Sequence, residues 1–210
     1  MIEAKLLVGR YLKFTPTPQR KLQGRPPQFE AVVCPPLQIA ESQMRGILKR
    51  EANVLPGVNA NKIHRNFKWL PYYLGDISNT DLTCDVLTGP MSGCILVSYK
   101  DAAGSPRVGH VGTVSGDPGG INGQVKTLWN TFATNNAALV VGGFNPIDAT
   151  IPILPAQKGD SGWEAWGLFT TGGDFYTIHV WTQSTTRDDW RVAAVHKRPS
   201  MTLAQLQNLP

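Results

Sequence analysis

The chain has 210 residues, 41% hydrophobic and 17% charged, with a formal net charge of +5; this is a folded composition, and the length suits one domain with its own core. Gly at 21 and Pro at 16 exclude a helical bundle and favour short strands joined by turns. No run approaches the ~20 apolar residues that span a bilayer, and MIEAKLLVGR has no apolar stretch ahead of a small-residue cleavage site, so neither a membrane-spanning segment nor a Sec signal peptide is expected.

Residues 5 to 14 and 29 to 34 read as strands on either side of a Pro-, Gln- and Arg-rich loop at 15 to 28. After Pro35 and Pro36, the residues Ile39, Ala40, Met44, Ile47, Leu48 and Ala52 recur at helical spacing until Pro56-Gly57, which predicts a helix. The aromatic stretch 58 to 83 is broken by Pro71 and Gly75 and reads as irregular, with a helical turn near 60 to 67. An apolar strand at 94 to 100, a Gly-Ser-Pro turn and a second strand at 107 to 114 follow. The spacing of Val125, Leu128, Trp129 and Phe132 predicts a helix over 122 to 135. Strands are expected at 138 to 144, 163 to 170, 175 to 183 and 190 to 197, the last three as an antiparallel meander, with a short terminal helix at 202 to 208. Strands outnumber helices and do not alternate with them one for one. The expected class is therefore α+β, a mixed β-sandwich with peripheral helices in a single domain, 1 to 210.

All of the positive excess lies in the first fifty residues, which hold nine Lys or Arg against three acidic residues. Such a segment can steer a protein onto nucleic acid, an anionic membrane or an acidic partner, or can be a solvated face. The aromatics are not interleaved with the basic residues as a stacking platform for bases requires, so the solvated face is favoured, and neither nucleic acid nor membrane is expected as a direct partner.

Three cysteines, Cys34, Cys84 and Cys94, with no CxxC pair and no histidine at zinc-ligand spacing, argue against a disulfide framework and a structural zinc site. Cys34 ends an apolar run at a Pro pair. Cys84 is flanked by acids that raise a thiol pKa. Cys94 differs, because in LTGPMSGCILVSYKDAAGSPRVGHVGT, residues 87 to 113, it follows Gly93 and opens an apolar strand. Glycine leaves room for a substrate to reach the sulfur, and the amides of Gly93 and Cys94, or of Ser92 and Gly93, can converge on a developing oxyanion. A thiol becomes a nucleophile when an imidazole takes its proton. His110 is nearest in sequence; His179 and His196 are rivals, and His64 lies in the irregular segment. The contrary reading makes Cys94 a small core hydrophobe and His110 a satisfied sheet residue. A tight hairpin centred on Gly104-Ser105 would also set His110 opposite Tyr99, leaving Cys94 roughly 16 Å further along its strand.

SGC opening an apolar strand, with Gly-His about fifteen residues downstream, resembles the catalytic domains of the cytotoxic necrotizing factor toxins, single-domain lethal-factor relatives of this length among them. More distantly it resembles the chemotaxis deamidases of bacteria. The resemblance implies a toxin that is a cysteine-dependent glutamine deamidase, a hydrolase converting a glutamine of a host protein to glutamate. In it Cys94 is the nucleophile, His110 the general base and acid, and Thr88 the residue that orients the imidazole through its hydroxyl or carbonyl, with Ser92 and Gly93 at the oxyanion. Met91 stands where the toxin family has Leu, an exchange that conserves volume. The family varies at the third member, and Asp101 or Asp117 are alternatives to Thr88. No metal or organic cofactor is implied. Also implied are a monomer, a host translation-initiation RNA helicase as substrate with a block in protein synthesis, and passage from the bacterial cytoplasm to the host cytosol. Transglutamination and a small GTPase target are the neighbouring possibilities within the family, and a non-catalytic basic binding module is the reading outside it.

Two further motifs compete. Gly159-Asp160-Ser161-Gly162 reproduces the serine neighbourhood of chymotrypsin-like proteases, with His64, Asp101 and Ser161 in that chain order. Trp163-Glu164 follows it in place of Gly-Pro, so a turn before a strand is the preferred reading. GDPGGING at 116 to 123 lacks the GxxxxGK[ST] spacing of a phosphate loop and reads as a helix-opening turn beside the His110 strand.

Overall fold

Where apolar spacing predicted a helix over 35 to 56, the described residues form three strands. The computed structural model describes residues 2–40, 43–45, 49–147, 152–183 and 189–210. A 3-10 turn at Ile2–Lys5 replaces the start of the first expected strand, of which only β1 (Tyr11–Lys13) is extended. β2 (Phe29–Ala31) leads into β3 (Pro36–Ile39), β4 (Gln43–Arg45) and β5 (Lys49–Pro56). Along β5 burial alternates, with Ala52 and Val54 inward and Asn53 and Leu55 outward, and β5 finds hydrogen-bonding neighbours on both sides, parallel β1 and antiparallel β3 and β4. Pairing along both edges satisfies the β5 backbone as a helix would, and tertiary context overrides the helical spacing. Ile47 and Leu48 of that predicted helix lie outside the described residues.

The stretch read as irregular also carries strands, β6 (Asn66–Pro71) and β7 (Ile77–Asp81), after the expected helical turn at Ile63–Arg65; β8 (Asp85–Gly89) follows. Every residue of β6 and β8 is buried, so neither shows the two-residue alternation of a half-exposed strand. Two polar side chains of β7 find partners inside: Ser78 Oγ donates to the Pro71 carbonyl at 2.8 Å, and Asn79 Oδ1 accepts from the Arg107 guanidinium at 2.7 and 3.0 Å. The rest follows expectation closely: β9 (Ile95–Lys100), β10 (Pro106–Val111), α1 (Ile121–Asn135), β11 (Val140–Phe144), β12 (Asp160–Phe169), β13 (Phe175–Gln183), β14 (Asp189–Arg198) and α2 (Leu203–Leu206).

The fold is α+β, mostly strands. Among the described residues the larger sheet has the order β1-β14-β13-β12-β8-β6-β3-β5-β4, and the β1–β5 pairing closes eight of its strands into a barrel-like wall. Its interior is filled by Phe14, Trp69, Trp166 and Trp190, in edge contacts at 5.0 to 5.2 Å, with Ile2 and Leu6 of the N-terminal turn packed against them. The smaller sheet, β11-β9-β10-β7-β2, is buried on both faces. Odd-numbered Ile95, Val97, Tyr99 and Val111 meet Val125, Trp129 and Ala133 of α1, while even-numbered Leu96 and Val108 meet Val86, Ala165 and Phe169 on the outside of the barrel. This parity sends Cys94 and His110 into the seam between the sheets.

Much of the basic N-terminal segment is used internally. Arg20 and Arg25 both pair with Asp76 and Glu30, and Lys13 pairs with Glu51. Elsewhere Arg191 and Asp160 form an ion pair with side chains 1% and 0% exposed, where Arg191 also donates to the Pro155 carbonyl at 2.9 Å. Removing one partner strands the other charge without water, so Asp160→Ala is expected to cost about 3–5 kcal/mol and to lower the urea unfolding midpoint accordingly.

Candidate active site

The loop between β9 and β10 decides whether Cys94 and His110 can meet. It runs over five residues, 101 to 105, held by Asp101: its amide donates to the Ser105 carbonyl, and its Oδ1 accepts from the Ala103 and Ser105 amides at 3.0 and 2.9 Å. The register is therefore shifted from the tight hairpin expected. Arg107, not His110, stands opposite Tyr99, and His110 stands opposite Leu96. Cys94, two residues before Leu96, becomes a diagonal neighbour of His110 on the same sheet face, at a spacing that long side chains bridge. Asp101 is thereby committed to the turn at the far end of the hairpin, roughly 16 Å from His110.

Thr88 reaches the imidazole from the other sheet. It lies on β8, in the barrel wall, and its Oγ1 is 2.8 Å from His110 Nδ1 with both side chains fully buried. When Nδ1 carries its proton it donates to Thr88, and Nε2 is left as the basic nitrogen. Nε2 is sealed from solvent and, among the described residues, has no hydrogen-bond partner of good geometry. Burial alone would push the Cys94 thiol up, but the His110 imidazole and the hydroxyl and amide of Thr113 pull it down to about 6. Thr113 Oγ1 sits 3.5 Å from the sulfur. Cys34 and Cys84 behave oppositely, both raised, chiefly by burial. Only one of the three thiols is thus held ionised near neutrality.

Ser92 and Gly93 form an exposed edge over the sulfur. Gly93 has φ +112°, a conformation that favours glycine, and a Cβ built there would meet only Thr113 Oγ1, at 3.6 Å. Met91 anchors the edge by donating its amide to the Ala165 carbonyl at 2.9 Å, while among the described residues the amides of Gly93 and Cys94 have no backbone acceptor. Sequence reasoning missed two neighbours. Thr113 closes the motif and carried no signal beyond its place after Gly112. Tyr72 stacks flat on the His110 ring, 4.8 Å between centroids and 14° between planes, from a stretch read as irregular.

The alternatives are placed elsewhere. Asp117 accepts from the Asn122 amide at 2.8 Å and stabilises the turn into α1, which is what the glycine-rich run 116 to 123 does. His179 packs against Trp163, and His196 sits on β14, separated from β8 by β13 and β12. Ser161 opens β12 and its hydroxyl is 2.8 Å from that of Thr182, with no histidine beside it among the described residues. An open cavity of about 440 Å³ lies at the other end of β8, lined by Pro36, His64, Lys68, Cys84 and Asp85. Its thiol is pushed up by burial, and Lys68 is already paired with Asp81, so it offers no ionised nucleophile. Comparison with protein-family models and with curated proteins returns no match.

Proposed function

We propose that this chain is a cysteine-dependent glutamine deamidase acting on a protein substrate, with Cys94 as nucleophile, His110 as general base and acid, and Thr88 orienting the imidazole. The observation that carries the reading is the buried Thr88–His110–Cys94 array, with a thiol drawn down to about 6 against the pull of its own burial. In the first half-reaction the thiolate, its proton already passed to Nε2, attacks the carboxamide carbon, forming a C–S bond. The negative charge moves to the carboxamide oxygen, toward the unbonded amides of Gly93 and Cys94. Collapse breaks the C–N bond, and the imidazolium protonates departing ammonia. In the second half the same nitrogen deprotonates water, which forms the C–O bond as the C–S bond breaks. Glutamate and a regenerated thiolate result, and the step needs no cofactor.

The sulfur is fully buried, so substrate must displace something. The weakest cover is the Gly93 edge and the Thr113 hydroxyl, followed by the exposed turn 115 to 120, and entry from this side meets little backbone. A layered arrangement with nucleophile and base on adjoining strands and a hydroxyl from the facing sheet supports the finer assignment to a necrotizing-factor-like catalytic fold. On that assignment the protein is a toxin delivered to the host cytosol, and its substrate is the host translation-initiation RNA helicase. A new carboxylate on that target adds a negative charge where none stood, enough to oppose a tight interface.

The test is a host lysate treated in parallel with native protein and with Cys94→Ala. The expected result is a target of unchanged length in which one glutamine reads as glutamate by mass spectrometry, in the native arm only. The same change in both arms, in neither, or a cleaved target overturns the reading.

A further inference from the structure

The residues around His110 include one that the deamidase reading leaves without a task. We propose that Tyr72 is a further catalytic residue of this site: its ring fixes the plane of the His110 imidazole, and its hydroxyl donates a hydrogen bond to the Cys94 thiolate. The inference rests on Cys94 being the nucleophile.

Tyr72 is 5% exposed, its ring lies flat against the imidazole, and its phenol is near enough to the Cys94 sulfur for the thiolate to push it up. One side chain therefore stacks on one member of the pair and adjoins the other. Its position is built by a close approach of backbone. The Gly75 amide donates to the Gly112 carbonyl and the Gly112 amide to the Asp76 carbonyl, both at 2.9 Å. A Cβ at Gly112 would fall 2.1 Å from the Tyr73 carbonyl oxygen and 2.9 Å from Tyr72 Cε2, so glycine is what lets the end of β10 press into the 72 to 76 turn. The turn is fastened from outside, where Arg20 lies 4.1 Å over the Tyr73 ring and, with Arg25, binds Asp76.

The contact suits the chemistry. With Nδ1 bonded to Thr88, the imidazole can still rock about that bond, and a parallel aromatic plane stops the rocking. Burial and the neighbouring thiolate hold the phenol well above its ordinary range, so it keeps its proton through the cycle and acts as a donor only. Donation to sulfur stabilises the resting thiolate. It helps again when the thioester breaks and negative charge returns to sulfur as the leaving atom.

The test reads sulfur directly and needs no protein substrate. The rate of Cys94 alkylation by iodoacetamide is followed against pH, by peptide mass spectrometry, in native protein, Tyr72→Phe and Tyr72→Leu, with folding checked by circular dichroism. Native protein is expected to inflect near 6. Tyr72→Phe keeps the ring and loses the donor, so its inflection should move up by about one unit, a roughly fivefold lower rate at pH 6. Tyr72→Leu should move it at least as far. An unshifted profile in either folded variant overturns the role given to Tyr72. A native profile inflecting in the ordinary thiol range, about 8.5, instead overturns the assignment of Cys94 as nucleophile.

Discussion

Replacing Cys94 with alanine is expected to lower the rate of glutamine conversion by at least about 10⁴-fold, with the folded state retained. Covalent catalysis has no substitute path here, because an alanine side chain offers nothing that can attack the carboxamide carbon. Removal of a nucleophile from a coupled set typically forfeits nearly all that the set supplies, up to about 10⁶ in kcat. Serine should be almost as poor as alanine. A hydroxyl is far harder to ionise than a thiol, and the influences of His110 and Thr113 that bring the sulfur to about 6 do not bring an alcohol near neutrality. Single-turnover assays on a glutamine peptide, beside thermal melts of each variant, measure both halves of this expectation.

His110→Asn carries the second large effect. It removes the group whose charge and hydrogen bond do most to offset burial at Cys94, so the thiol should climb from about 6 to above its ordinary range of about 8.5. At neutral pH the thiolate fraction then falls by more than about thirtyfold. Loss of proton transfer to ammonia and from water multiplies this, for a total of about 10³–10⁴-fold. The sign with pH follows from the thiol. Native activity should rise as pH passes upward through about 6, since the protonated sulfur is inert, and the variant should recover part of its activity only in alkali. Rate–pH profiles for both proteins decide the matter; a variant with the native profile would remove His110 from the mechanism. Thr88→Val, close to isosteric, leaves Nδ1 buried without its partner and should cost a smaller factor, about ten- to a hundredfold.

These expectations concern residues of very unequal visibility in the sequence. The peculiarity of Cys94 was local: a glycine immediately before it and an apolar strand immediately after. α1 was equally plain, because Val125 and Trp129 repeat at a helix's own period and one face of it is buried. Residues 35 to 56 misled for the mirror-image reason. Apolar residues at mixed spacings fit a helix as well as a strand, and the pairing of β5 with β1, some forty residues distant in sequence, decided between them. β8 was overlooked because a strand buried on both faces presents no alternation, and with it went the sheet that carries Thr88.

The sequence by itself determined a strand-rich α+β chain, a cysteine with a glycine before it and an apolar strand after it, and His110 as the imidazole nearest to it along the chain. Composition and short-range periodicity carry that much, because both are properties of neighbouring residues. Only the tertiary structure decided that the pair could meet, and which groups surround it. A five-residue loop sets the register that brings Cys94 diagonal to His110; Thr88 arrives from the facing sheet, twenty-two residues away; and Tyr72 arrives through a turn that only a glycine at 112 admits. Each depends on how far one segment can approach another, and that distance is set by loop length and steric fit between remote parts of the chain.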